Sequence, residues 1–303
     1  MTDRRTLLGA LGAFAGGGLL AACGSGARPG TGPAGPSTPA GTPDPVPLRY
    51  GPDPSQYAVL HLPAAGGAGA LPVVVVVHGG YWRDSYGLEL GTPLAVDLVT
   101  AGVAALNVEY RRTGGTGGYP RTLDDVAAAV DSLAGAGQQA AGGRLDLARV
   151  VVVGHSAGGQ LAVWAASRPR LVAPAPGADP VVRPRGAVAQ AGVLDLVAAA
   201  EQDLGGGAAV ALLGGPPDAV PDRYAVASPA ALVPAPVPVV AVHGTADTTV
   251  PLAQSTRYVD AAVRAGGDAR VRPVDGADHF DLIDPDSPAW AAVREETLRL
   301  VSS

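Results

Sequence analysis

The chain has 303 residues, a net charge of −6, and charged side chains at only 16%. It contains no Lys and no basic stripe, which excludes a nucleic-acid reader built on clustered cations. Mean hydropathy is positive, at +0.22. Even so, no window beyond the N-terminus reaches the roughly 20 uninterrupted apolar residues that a membrane-spanning helix needs.

The first residues read as an address. Arg4 and Arg5 precede an apolar run rich in Gly and Ala, which ends in Leu20-Ala21-Ala22-Cys23. A charged start, a short apolar core and small residues before a cleavage point describe an export signal over residues 1–22. Asp3-Arg4-Arg5-Thr6-Leu7-Leu8 resembles a twin-arginine leader. Leu20-Ala21-Ala22-Cys23 resembles the lipobox of bacterial lipoproteins, which implies acylation of Cys23 and a protein anchored to the outer face of the bacterial cell membrane. Cys23 is the only cysteine, so it has no internal disulfide partner. Residues 23–47 are nearly all Gly, Pro, Ser, Thr and Ala, the composition of a linker that buries no apolar surface.

From residue 48 to 303, strand and helix patterns alternate. Strands are expected at residues 56–62, 73–78, 103–110, 150–153, 186–191, 237–243 and 269–274. The five-valine run at 73–77 has no alternation, as in a strand buried on both faces. Helices are expected at 88–101, at 122–133 with Thr122 as N-cap, at 157–167, at 252–265, and after Ser287-Pro288. Repeated β-α units imply a mostly parallel central sheet flanked by helices. Residues 168–236 carry one strand and a Gly/Ala/Pro-rich stretch with weak helical pattern, and are expected to form a cap-like insertion.

Gly154-His155-Ser156-Ala157-Gly158 is a G-x-S-x-G motif between a valine-rich strand and a helical run. That context is the one a nucleophile elbow requires, so Ser156 is the expected nucleophile. Triad order in this fold runs serine, acid, histidine. Among the five histidines, only His279 lies in a loop after the last strand, where it can serve as the base. The expected acid is Asp247, at the end of the preceding strand, with Asp195 as its rival. His78-Gly79-Gly80-Tyr81-Trp82 follows the 73–77 strand and resembles the HGGG-type oxyanion loop of esterases, with Tyr81 in place of the third Gly. The resemblance implies oxyanion donors at the backbone N–H groups of Gly80, Tyr81 and Ala157, and a bracing role for His78. Trp82 and Tyr81 are open to two readings, as a wall of the substrate pocket or as packing. The aspartates at 275, 278, 281, 284 and 286 match no Ca²⁺ loop, and neither a metal nor a cofactor is expected.

Taken together, residues 78–83, 107–112, 154–159 and 243–247 resemble the esterase/kynurenine-formamidase-like branch of the α/β hydrolases. The resemblance implies the α/β-hydrolase fold and hydrolysis of a small-molecule ester or amide. An exported lipoprotein is an unusual setting for a formamidase, which favours a carboxylic ester substrate, with formamide or small-amide hydrolysis second. A non-catalytic surface lipoprotein would have been free to lose the serine, the base or the oxyanion glycines, and all are present.

Overall fold

The computed structural model describes residues 41–64 and 69–303. The leader, Cys23 and most of the linker lie outside the described residues. Among those described, eight strands form one sheet: β1 (Val46–Arg49), β2 (Tyr57–His61), β3 (Leu71–Val77), β4 (Ala104–Val108), β5 (Leu145–His155), β6 (Gly186–Gln190), β7 (Val239–Gly244) and β8 (Ala269–Val274). Their spatial order is β1-β2-β4-β3-β5-β6-β7-β8. Only the β1–β2 and β2–β4 pairings are antiparallel. This is the mostly parallel, helix-flanked sheet of an α/β hydrolase. β1 starts at Val46, two residues inside the stretch read as linker.

The valine runs explain why the sheet is buried on both sides. Side chains alternate faces along a strand. In β3, Val73, Val75 and Val77 join one apolar cluster, and Val74 and Val76 join a second on the opposite face. β5 divides the same way, with Val150 and Val152 against Val151 and Val153. Burying each such side chain contributes about 1.5–3 kcal/mol, so a strand without polar alternation is stable only when covered twice. The covering helices are α1 (Thr92–Thr100) and α9 (Pro288–Ser302) on one face. On the other lie α2 (Arg121–Asp131), α3 (Ala136–Ala140), α4 (Ala157–Ser167) and α8 (Ala253–Arg264). No helix among the described residues is long and apolar enough to cross a membrane.

Local differences from the expected elements have identifiable causes. The helix expected at 88–101 is interrupted: Leu88–Leu90 forms a short 3₁₀ turn, and α1 restarts at Thr92 with Pro93 in its first turn. Thr122 is not an N-cap. α2 begins at Arg121, and Pro120 precedes it. Thr122 Oγ1 instead accepts from the Gly118 N–H at 3.0 Å and donates to the Arg111 carbonyl at 2.6 Å. Ser287 does cap α9, accepting from the Trp290 N–H at 3.0 Å.

The insertion contains β6 and three short helices, α5 (Leu196–Glu201), α6 (Ala208–Leu213) and α7 (Pro221–Ala227). Their Leu196, Ala199, Leu212, Leu213 and Tyr224 side chains join the cluster that lines the α4 face of the sheet. At the far edge of the sheet, β8 sets Arg270 and Arg272 against Glu296 of α9.

Candidate active site

The parallel strands β3, β5, β7 and β8 all end at one rim of the sheet, where the loops that follow them converge. This is where ligands bind in open α/β sheets. Ser156 stands between β5 and α4 at φ 55° and ψ −116°, a strained conformation for a residue with a side chain. Its neighbours allow the turn. A Cβ on Gly154 would lie 2.1 Å from the Gly158 carbonyl oxygen, and one on Gly158 would lie 2.1 Å from that of Val77. Only glycine fits either position.

His279 Nδ1 lies 2.7 Å from Asp247 Oδ2. With Nδ1 committed to Asp247, Nε2 is the nitrogen left for a second partner. Asp247 Oδ1 accepts from the N–H groups of Thr249 and Val250, each at 2.8 Å. Burial opposes ionisation of Asp247, but donors from His243, His279 and Val250 outweigh it and hold its carboxyl well below the usual range. A carboxylate that stays ionised and is aimed at Nδ1 fixes the imidazole tautomer and stabilises an imidazolium.

Ser156 and His279 line the same pocket, of about 90 Å³. Its walls include Tyr86 and Leu90 from the loop after β3, and Phe280 and Ile283 from the loop after β8. Gly80 and Tyr81 also line it. Among the described residues, the N–H groups of Gly80, Tyr81 and Ala157 are not consumed by any turn or cap hydrogen bond. Gly80 has φ 108° and Tyr81 has φ 52°, so the loop bends back over the serine. A Cβ on Gly79 would come within 2.9 Å of His155 Nδ1, so the loop packs directly on the elbow.

The remaining expectations resolve individually. His78 is buried beneath the loop, with Nδ1 2.7 Å from the Gly79 carbonyl and Nε2 3.0 Å from Glu109 Oε1. Its ring stacks on Tyr110 with centroids 4.3 Å apart. Asp195 caps α5, accepting from the Ala198 N–H at 3.0 Å, and does not pair with His279. Trp82 is not a pocket wall. It is 1% exposed, and its Nε1 donates to Gln160 Oε1 at 3.0 Å. Two successive left-handed residues, Tyr81 and Trp82, turn the indole into the core. Asp278 accepts from the Phe280 and Asp281 N–H groups, and Asp284 from that of Asp286, so these acidic side chains build turns.

Several site residues escaped the sequence reading. His155 Nε2 lies 2.9 Å from the His279 backbone carbonyl, and the two rings are 4.4 Å apart. Burial first, and the neighbouring His279 second, push the His155 pKa down to about 3, so the ring is neutral and donates to that carbonyl. Its place inside G-x-S-x-G was a signal in itself, since such a residue must point beneath the serine. Phe280, 63% exposed beside His279, was also legible by adjacency. Tyr86, Leu90 and Ile283 carried no such signal.

Comparison with known proteins places this geometry. No curated protein sequence matches the chain. Among solved structures, esterase B from Lactobacillus Rhamnosis has a TM-score of 0.74 at 22% identity, covering 88% of this chain and 87% of that one. A truncated carbohydrate esterase from gut microbiota has a TM-score of 0.70 at 19% identity, covering 88% and 100%. The propionate-bound esterase Est2 from the planctomycete Thermogutta terrifontis has a TM-score of 0.68 at 23% identity, covering 86% and 94%. At these identities the likeness is one of fold. The BD-FAE family matches residues 60–261, which hold Ser156, the His78–Trp82 loop and Asp247. By that match over most of its folded part, the chain belongs to the BD-FAE family.

Proposed function

We propose that the protein is a serine hydrolase that cleaves a small carboxylic ester through an acyl-enzyme. The observation that carries this reading is the Asp247–His279 pair at 2.7 Å, whose imidazole shares a pocket with a serine held at φ 55°. Family membership and the esterase fold neighbours support it.

His279 Nε2 takes the Ser156 proton as Oγ bonds to the ester carbonyl carbon. The resulting oxyanion is held by the N–H groups of Gly80, Tyr81 and Ala157. Each such donor is typically worth about 2.7–4 kcal/mol in the transition state. The C–O bond to the alcohol then breaks, and the alcohol leaves with the proton from His279. Water repeats the sequence on the acyl-enzyme and releases the acid. The apolar walls from Tyr86, Leu90, Phe280 and Ile283 suit an uncharged substituent. The reading also takes the protein as exported and acylated on Cys23, with residues 24–45, up to the start of β1, as a tether.

Labelling by a fluorophosphonate, followed by peptide mass spectrometry, tests the reading. Ser156 carries the label in the wild type, and Ser156→Ala is folded, unlabelled and inactive. A folded Ser156→Ala variant with wild-type turnover overturns the assignment. A panel of acyl-chain esters beside N-formyl amides separates an esterase from the formamidase-like alternative.

A further inference from the structure

Tyr81 sits where the resembling oxyanion loops carry glycine. It adopts φ 52°, a conformation that strains any bulky side chain. Glycine would relieve that strain, so the ring's contacts bear on why tyrosine is there. Its hydroxyl donates to the Thr249 carbonyl at 3.3 Å. Thr249 belongs to the loop that holds the acid, and its own N–H donates to Asp247. Burial first, and the nearby Asp247 carboxylate second, raise the Tyr81 pKa, so the phenol keeps its proton and remains a donor.

The ring also meets the cap. A Cβ on Gly205 would lie 2.4 Å from Tyr81 Cδ1, so the ring rests on bare backbone at that position. Asp203, Gly205, Gly206 and Gly207 all have left-handed φ values, 50°, 63°, 63° and 73°, which fold the cap turn down onto the ring. Arg83 closes the arrangement. Its guanidinium lies 5.5 Å over the Tyr81 ring, and its Nη2 donates to the Gly205 carbonyl.

We propose that the Tyr81 side chain is a positioning residue: it registers the oxyanion loop against the acid loop and against the cap turn at Gly205, and so fixes the aim of its own backbone N–H. This rests on the esterase reading above. The ring acts on transition-state alignment and leaves ground-state binding nearly untouched. A misaligned donor lowers kcat without a matching rise in KM.

The test is a double-mutant cycle on the full chain with p-nitrophenyl acetate as substrate. Tyr81→Gly and Gly205→Ala each lower kcat about 10-fold or more, with KM within about two-fold, as expected for a small displacement of a reacting geometry. Tyr81→Phe keeps the ring seat, loses only the Thr249 contact and falls between them and the wild type. The double variant is no worse than Tyr81→Gly alone, because the Gly205 Cβ then has no ring to displace. Fluorophosphonate titration counts competent sites, so a loss through misfolding shows as fewer sites and is removed from kcat. If Gly205→Ala does not fold, Arg83→Met, at an exposed side chain that holds the Gly205 carbonyl, takes its place in the cycle. Losses that multiply to about 100-fold overturn the proposal, as does a rise in KM at unchanged kcat, which makes the ring a substrate wall. A wild type that neither labels nor hydrolyses esters refutes the esterase reading instead.

Discussion

Trp82→Phe separates core from pocket. Trp82 is 1% exposed and donates to Gln160 Oε1, and Gln160 is itself fully buried. Phenylalanine has no donor, so that oxygen loses its partner, at about 1–3 kcal/mol. The missing pyrrole edge removes roughly two buried carbons' worth of apolar contact, about another 1–2 kcal/mol at ~0.8 kcal/mol each. The sum is about 2–5 kcal/mol. For a domain of this size each kcal/mol moves Tm by about 2–4 °C, so the expected drop is roughly 4–20 °C. The assay pairs thermal unfolding with kcat and KM across an acyl-ester series at 25 °C. Trp82→Phe lowers Tm and leaves the chain-length profile alone. Tyr86→Ala, at a pocket residue 43% exposed, does the reverse, with a stability change within about 0.5 kcal/mol. A Trp82→Phe variant of unchanged Tm but altered acyl preference would show that the indole faces substrate and that the packing argument is wrong.

Asp247→Asn lowers kcat by several orders of magnitude, by analogy with a loss of about 10⁴ in a related triad, because the amide no longer fixes the His279 tautomer. Asp195→Asn retains the α5 cap acceptor and most activity; steady-state kinetics of both variants check this, and the opposite ranking reassigns the acid. Stability falls in mild acid. The His155 pKa is lowered to about 3 in the fold, so the unfolded chain binds the extra proton from about pH 6.5 downward, and one proton costs about 1.4 kcal/mol per pH unit. Urea midpoints between pH 7 and 4 read this slope, and His155→Gln flattens it. Glu296, lowered to about 2 because donors from Arg270, Arg299 and Arg272 outweigh its burial, adds a loss in the same direction below about pH 4.5. Cys23→Ala moves the native protein out of the membrane fraction without changing ester turnover by the domain; an unmodified Cys23 in the wild type, seen by mass spectrometry, refutes the anchor.

What the sequence made legible follows from which physical signals are local. An unbroken run of valines, five in β3 and four in β5, reports double burial wherever it sits, so both strands were readable, and with them the turn that lifts Ser156. Asp247 and His279 were readable because chain order in this fold is constrained; the pair lies at hydrogen-bond distance. Trp82 was ambiguous because its direction depends on two left-handed dihedrals that no periodicity encodes. The Thr122 cap failed because Pro120 takes the N-cap position two residues earlier, leaving the threonine hydroxyl to serve Arg111. The cap helices are six or seven residues long and rich in alanine, too short to develop an amphipathic signature, and they hold their places through tertiary contacts such as Trp164 Nε1 to the Val226 carbonyl at 2.9 Å. Pocket walls assembled from separate loops carry no common pattern at all.

The outer strand of the sheet has a bearing on how copies of this protein tolerate crowding. Among the described residues β8 pairs only with β7, so one row of its backbone groups has no strand partner there and invites another chain to zip alongside. Arg270 and Arg272 place a guanidinium on alternate positions, and both are engaged by Glu296; Pro273, between Arg272 and Val274, offers no amide hydrogen. An incoming strand would have to dehydrate that charge cluster and skip a rung of the ladder. The edge therefore discourages self-association of the kind that ends in fibres.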